Sequence, residues 1–160
     1  MQEIIYKPIG IIHTPFNAPT GIPIQSSGGK GISGTIEIEP EYIPCLKDLD
    51  GFSHIILIYH LHLSKGYNSE VKPFMDKTLR GVFATRAPKR PNPIGISVVK
   101  LRKVRGGILY IKDLDIIDGT PLLDIKPYVP TVDAFKTEQI GWLTNKVDKM
   151  KKKQADKRFL

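Results

Sequence analysis

Residues with the chemistry to bind or react are concentrated in two stretches of the 160-residue chain. In the first, GVFATRAPKRPNPIG at 81–95, Arg86 and Arg90 offer planar guanidinium forks suited to a carboxylate or a phosphate. Asn92, between Pro91 and Pro93, offers a turn cap or a base-edge contact. Pro88, Pro91 and Pro93 fix the backbone before anything binds, which lowers the ordering cost of a ligand site. By residue type alone the stretch reads equally as a rigid surface loop with solvated arginines. In the second stretch, DLDIIDGTPLLDIKPY at 113–128, four aspartates alternate with apolar residues around a turn. Asp113 and Asp115 share one strand face and Asp118 opens the turn. Carboxylates there could accept from ribose hydroxyls or an ammonium, or lie near a sulfonium charge. Asp118-Gly119 also reads as a plain hairpin turn, and Asp124 with Lys126 as an ion pair.

Other chemistries find less support. A dinucleotide-binding sandwich needs a Gly-rich turn between a strand and a helix, and no such pattern occurs. Gly28-Gly29-Lys30-Gly31 resembles a phosphate loop only faintly, because no Ser or Thr follows the lysine and no helix follows the loop. His60 and His62 fall on one strand face, but no third ligand stands at a suitable spacing, so no metal is expected. The G-x-S-x-G elbow of hydrolases is missing. Cys45 is the single cysteine, which leaves no disulfide framework within one chain.

The elements that must position these residues are short. Thirteen prolines and fourteen glycines cut the chain into strands and turns. Strands are expected at 4–13 (broken near Pro8), 34–39, 54–63, 81–85, 94–105, 108–117 and 122–128. Gly106-Gly107 forms a hairpin turn, and a short helix spans 40–49. Long loops run over 17–31 and 64–80. One longer helix is expected at the C-terminus, capped by Thr137, with Ile140, Leu143, Val147 and Met150 on one face. The fold class is therefore mainly β, a small antiparallel barrel with a C-terminal helix, divided as 1–135 for the barrel and 136–160 for the basic helix and tail.

Net charge is +8, and it is concentrated. Residues 146–160 hold seven Lys or Arg and two Asp, and residues 72–90 hold six Lys or Arg against Asp76. Two basic clusters on a near-neutral body suit a polyanionic partner, and equally a solvated face. The longest apolar run, 55–63, is too short to span a bilayer, and no basic leader with an apolar core follows Met1. A cytoplasmic protein without a membrane partner is expected.

At these residues the sequence resembles the TsaA-like, or TrmO-like, family. The motifs IGIIHTPF (9–16), GFSHIILIYHLH (51–62), GVFATRAPKRPNPIG and DLDIIDGTPLLDIKPY carry the resemblance and span most of 8–130. It implies a small β-barrel and S-adenosylmethionine-dependent methylation of N6-threonylcarbamoyladenosine at position 37 of tRNA. It also implies a homodimer with cofactor bound near the subunit interface. Carried over by motif, cofactor contacts fall on Pro23, Gln25, His62, Leu63, Arg86 and the turn of Asp118, Gly119, Thr120 and Pro121. Arg86 and Asp118 would be the catalytic pair, and Lys89, Arg90 and Asn92 would meet substrate or RNA. The sequence departs from the family at Ile24, Leu63 and Ala87, and it resembles a short form without the C-terminal domain of bacterial members. Alternatives are a methyltransferase of the same fold acting on another substrate, and a non-catalytic RNA- or nucleotide-binding module.

Overall fold

The computed structural model describes residues 2–150 and 152–159. Strands β1 (Gly10–His13), β2 (Ser33–Ile38), β3 (His54–His60), β6 (Ile94–Arg105), β7 (Ile108–Lys112) and β8 (Thr120–Pro127) close into an antiparallel barrel in the order β1-β2-β7-β6-β3-β8. Two further strands, β4 (Glu70–Val71) and β5 (Arg80–Gly81), pair outside it. Closure removes the exposed edges that a six-stranded sheet would otherwise present.

Period-2 alternation decides which side chains enter the core. Along β3, Ile55, Leu57 and Tyr59 point inward while His54, Ile56, Ile58 and His60 are only half-buried. Ile12 of β1, Ile36 and Ile38 of β2, Val99 and Leu101 of β6, Leu109 and Ile111 of β7, Leu122 of β8, and Leu114 and Ile116 between β7 and β8 complete the interior. The β6–β7 hairpin turns at Gly106 and Gly107, whose φ of +55° and +86° match the mirror-image turn that suits strand twist. On β3 and β6 the inward rows end in two hydroxyls, Tyr59 and Ser97, rather than in hydrocarbon. That polar end of the core lies next to the site.

Four elements depart from the sequence expectation. The first strand begins at Gly10, not Ile4. Pro8 has no N–H to donate, the first ladder donor beyond it is Ile9 N–H to the Leu122 carbonyl, and Ile4, Ile5 and Tyr6 are exposed. The strand after Gly107 ends at Lys112, because Asp113 adopts a left-handed φ of +69°. Residues 82–84 wind into a 3₁₀ turn, leaving β5 as a two-residue strand.

The C-terminal helix expected from Thr137 is the fourth. It is replaced by a 3₁₀ turn at Gly141–Leu143 and a single α turn at Val147–Met150. Gly141 and Asn145 take left-handed φ values of +58° and +65°, and Thr144 between them is extended, so the ladder cannot propagate. Residue 151, inside the expected basic face, lies outside the described residues.

The core bears the fold. Leu57→Ala removes a fully buried side chain at the centre of β3, and unfolding in denaturant will show a loss of about 2–5 kcal/mol.

Candidate ligand-binding site

A cavity of about 500 Å³ opens beside the start of β6, bounded by Ile94, Gly95 and Ile96. Its remaining walls come from the long loop (Ile22, Pro23, Gln25, Ser26), the end of β3 (Tyr59, His62), and the proline-rich loop (Arg86, Pro88, Arg90). Asp115 comes from the segment between β7 and β8, Thr120 from the start of β8, and Ala155 and Phe159 from the C-terminal tail.

The polar end of the cavity is a hydrogen-bonded chain. Ser97 Oγ donates to Asp115 Oδ1 at 2.7 Å, and Tyr59 Oη lies 3.0 Å from Ser97 Oγ. With the serine proton committed to Asp115, the tyrosine is the donor in that second bond. Gly95 makes this possible. It pairs with Tyr59 across the β3–β6 ladder, and a Cβ there would lie 2.2 Å from the Tyr59 ring. Burial pushes the Asp115 carboxyl up to about 6, against the hydrogen bond from Ser97, the nearby Arg86 charge and the Ser26 backbone N–H, which pull it down. Burial, then the Asp115 charge, also raises the Tyr59 phenol well above its ordinary value, so it remains a donor.

The aspartates of 113–118 also hold the surrounding loops. Asp113 accepts the Gly31 N–H at 2.7 Å, and a Cβ on Gly29 would lie 2.0 Å from the Leu114 carbonyl oxygen. The long loop therefore rests directly on this segment. Asp118 accepts the Thr14 N–H at 2.9 Å, sits 3.5 Å from His13 Nδ1, and donates its own N–H to the Phe16 carbonyl.

The proline-rich loop is braced from within. Arg90 donates to the carbonyls of Thr85 (3.2 Å) and Ala87 (3.4 Å), Thr85 Oγ1 accepts the Ala87 N–H, and Ser64 donates to the Pro88 carbonyl. Arg90 thus spends its guanidinium on the loop's own backbone, while Arg86 is exposed at the cavity. Across the cavity, Thr120 Oγ1 donates to the Ile117 carbonyl, so at its 3.4 Å contact with His62 Nδ1 the imidazole is the donor. Burial, followed by the neighbouring His60, lowers the His62 pKa and favours the neutral ring.

Of the residues singled out from sequence, Pro23, Gln25, His62, Leu63, Arg86, Arg90 and Thr120 line the cavity. Asp118, Gly119, Pro121, Lys89 and Asn92 lie outside its described lining. His60 also lies outside it, and no cluster of three or more metal-ligating side chains occurs among the described residues. Sequence reasoning did not single out Tyr59, Ser97 or Asp115 as a unit. The available signal was Asp115 itself, an ionisable residue between the fully buried Leu114 and Ile116.

Comparison with known proteins adds identity to this geometry. A family model described as the tRNA-methyltransferase O N-terminal domain matches residues 11–134. A probable S-adenosyl-L-methionine-binding protein of Pyrococcus abyssi is 57% identical over 156 residues, covering 98% of this chain and 85% of that protein. A mouse tRNA (adenine(37)-N6)-methyltransferase is 37% identical over 141 residues, covering 82% of this chain but 32% of its own length. The crystal structure of TrmO from Pseudomonas aeruginosa superposes with a TM-score of 0.74 at 36% identity, over 88% of this chain and 63% of that one. The chain therefore spans less than two thirds of the solved structure and about a third of the mouse enzyme.

The Asp115 environment yields a pH test. A carboxyl raised from 3.8 to about 6 on folding contributes stability that is present below its unfolded value and lost as pH rises through about 6. Asp115→Asn escapes that loss. Thermal or chemical unfolding will show the variant and native chain nearly equal at pH 4, with the variant more stable by about 1–3 kcal/mol at pH 7.5. A gap independent of pH would contradict the assignment.

Proposed function

The chain belongs to the tRNA-methyltransferase O N-terminal domain family, and on that premise we propose that it binds S-adenosyl-L-methionine in the cavity beside β6 and methylates N6 of adenosine 37 in tRNA. The nucleoside proposed as substrate is N6-threonylcarbamoyladenosine. The observation that carries this reading is the union, in one cavity, of a half-buried carboxylate (Asp115) chained to two buried hydroxyls (Ser97 and Tyr59), an exposed guanidinium (Arg86) and an apolar wall.

The residues fit the cofactor by chemistry. It joins a nucleoside to an amino acid through a sulfonium, and so needs apolar surface for the base, acceptors for hydroxyls and cationic groups, and a cation for the carboxylate. Ile22, Pro23 and Ile96 supply the first, Asp115 and Gln25 the second, and Arg86 the third. Relatives named for S-adenosyl-L-methionine binding and for tRNA adenine-37 N6-methylation support the same assignment.

When bound, the cofactor supplies an electrophilic methyl group. This chain's residues must align the acceptor nitrogen with it, exclude water and dispose of one proton. The proline-rich loop is already rigid, so Arg86 holds a carboxylate with little further ordering. The N6 nitrogen of a ureido-adenosine is a weak nucleophile until its proton leaves. Asp115, with a carboxyl near 6, is largely ionised at pH 7 and accepts that proton, while the Ser97 hydroxyl fixes its orientation. Asp118 instead secures the β1 end against the turn before β8. The basic segments around 72–90 and 146–158 supply phosphate contacts to the tRNA.

The proposal extends to a homodimer acting in the cytoplasm. The half-exposed Ile94 and Ile96 beside the cavity support an apolar subunit contact there. Among the described residues, no helix is long and apolar enough to cross a membrane.

The test is incubation of purified protein with S-adenosyl-L-methionine and tRNA carrying threonylcarbamoyladenosine, followed by nucleoside mass spectrometry. One added methyl on that nucleoside is expected, with kcat/KM rising with pH through about 6. Asp115→Asn lowers kcat by about 10²–10⁴-fold and removes that pH limb, and Arg86→Ala abolishes turnover. Cofactor binding without methylation of this nucleoside would redirect the assignment to another substrate, and RNA binding without cofactor binding would make the chain a binding module.

A further inference from the structure

The C-terminal tail does not extend into solvent as a free basic arm. Residues 153–155 pair with the long loop: the Ile24 N–H donates to the Lys153 carbonyl, the Gly21 N–H to the Ala155 carbonyl, and the Ala155 N–H to the Ile22 carbonyl. Gln154 lies opposite Pro23 in an antiparallel bridge. A second anchor follows. Arg158 donates to the Pro73 carbonyl at 2.6 Å with its guanidinium over the Phe74 ring, and Phe159 packs edge-on to Phe74 with centroids 5.0 Å apart. Asp156 orients Arg158 through bonds of 2.8 and 2.7 Å.

Upstream, Trp142 Nε1 donates to the Ala84 carbonyl at 2.7 Å, and the Arg80 and Lys146 charges lie 5.9 and 5.6 Å from the centre of the Trp142 ring. Asp76 bonds both of these cations and is held well below the usual carboxylate range, first by Arg80 and then by Lys146. The tail is thereby tied at one end to the loop that delivers Arg86 and at the other to the loop that carries Pro23.

At its downstream anchors, Ala155, Asp156 and Phe159 line the cavity together with Ile22 and Phe74. The tail thus walls the cavity from outside the span of the family model, which ends at residue 134. Among the described residues its backbone bonds to the long loop number three, and its side-chain anchors sit at exposed or half-buried positions, so it opens at lower free energy than the barrel ladders.

We propose that residues 153–159 are a retaining strap of the ligand cavity. They supply, within the same chain, the wall against which the apolar part of a nucleoside ligand packs, and release of this strap from residues 21–24 and 72–74 is the step that admits and discharges ligand. This inference rests on the cofactor reading above.

The test uses the full chain and three variants: Phe159→Ala, Arg158→Ala, and Ala155→Pro, which removes the donor to the Ile22 carbonyl. Calorimetry gives the affinity for S-adenosyl-L-methionine, a filter-binding chase with labelled ligand gives its dissociation rate, and thermal melting reports the barrel. Each variant is expected to release ligand about ten- to a hundredfold faster, through loss of a packed apolar wall residue in Phe159→Ala and of an anchoring hydrogen bond in Arg158→Ala and Ala155→Pro, and to weaken affinity. The melting transition will remain cooperative.

Amide exchange supplies a readout in the unaltered chain. The Gly21 and Ala155 N–H groups should exchange faster than those of β3 without ligand, and slow markedly once ligand is added. Unchanged dissociation rates in all three variants, or unchanged Gly21 and Ala155 protection on binding, would overturn the strap while leaving the cofactor reading intact. A native chain that binds no S-adenosyl-L-methionine would overturn both.

Discussion

One half-buried carboxylate organises the cavity end of this molecule. Asp115 lies where the barrel's inward rows stop being hydrocarbon, and its charge is tolerated because Ser97 and the Ser26 backbone donate to it and Arg86 stands near. An ionised group there without such partners would cost several kcal/mol, roughly the whole margin by which a small domain is stable. The partners come from three separate parts of the chain: β6, the long loop and the proline-rich loop. Satisfying Asp115 therefore brings together the segments that form the cavity, and loop placement and site chemistry become one constraint.

The neighbouring aspartates extend the same logic. Asp113, in a left-handed conformation that few residues tolerate, captures Gly31, and Asp118 captures Thr14. A fifteen-residue loop rich in Gly, Pro and Ser has little local reason to adopt one shape. Here it is laid along residues 113–117, with Gly29 so close to the Leu114 carbonyl that no side chain fits. The proline-rich loop needs less outside help, since Arg90 and Thr85 brace it from within. Rigid chemistry on one side and a tethered loop on the other leave the tail as the most weakly held wall.

The barrel was legible in the sequence because strand periodicity and turn glycines are local signals. The strands expected at 34–39 and 54–63 and the Gly106-Gly107 hairpin read into β2, β3 (which ends at His60) and β6–β7. Motif resemblance found Pro23, Gln25, His62, Arg86 and Thr120, and all of them meet at the cavity. Two classes of feature were not legible. Whether an aspartate faces a cavity or a neighbouring loop depends on backbone geometry at Asp113, which alternation cannot reveal, so Asp115 and Asp118 could not be told apart from spacing. The tail carried a helical apolar pattern at Ile140, Leu143, Val147 and Met150, but tertiary anchors at Trp142, Lys146 and Arg158 override that propensity. Those anchors join residues more than fifty positions apart, and single-sequence reasoning has no access to them.

The central claim is that the cavity organised by Tyr59, Ser97 and Asp115 is where the cofactor binds. A co-crystal structure with S-adenosylhomocysteine tests it most directly. The account predicts ligand density between β6 and the long loop, in contact with Arg86 and beside the Asp115 carboxylate, with Ala155 and Phe159 closed over it. Ligand bound elsewhere on the barrel, with this cavity filled by solvent and the Asp115 chain unchanged, would contradict it.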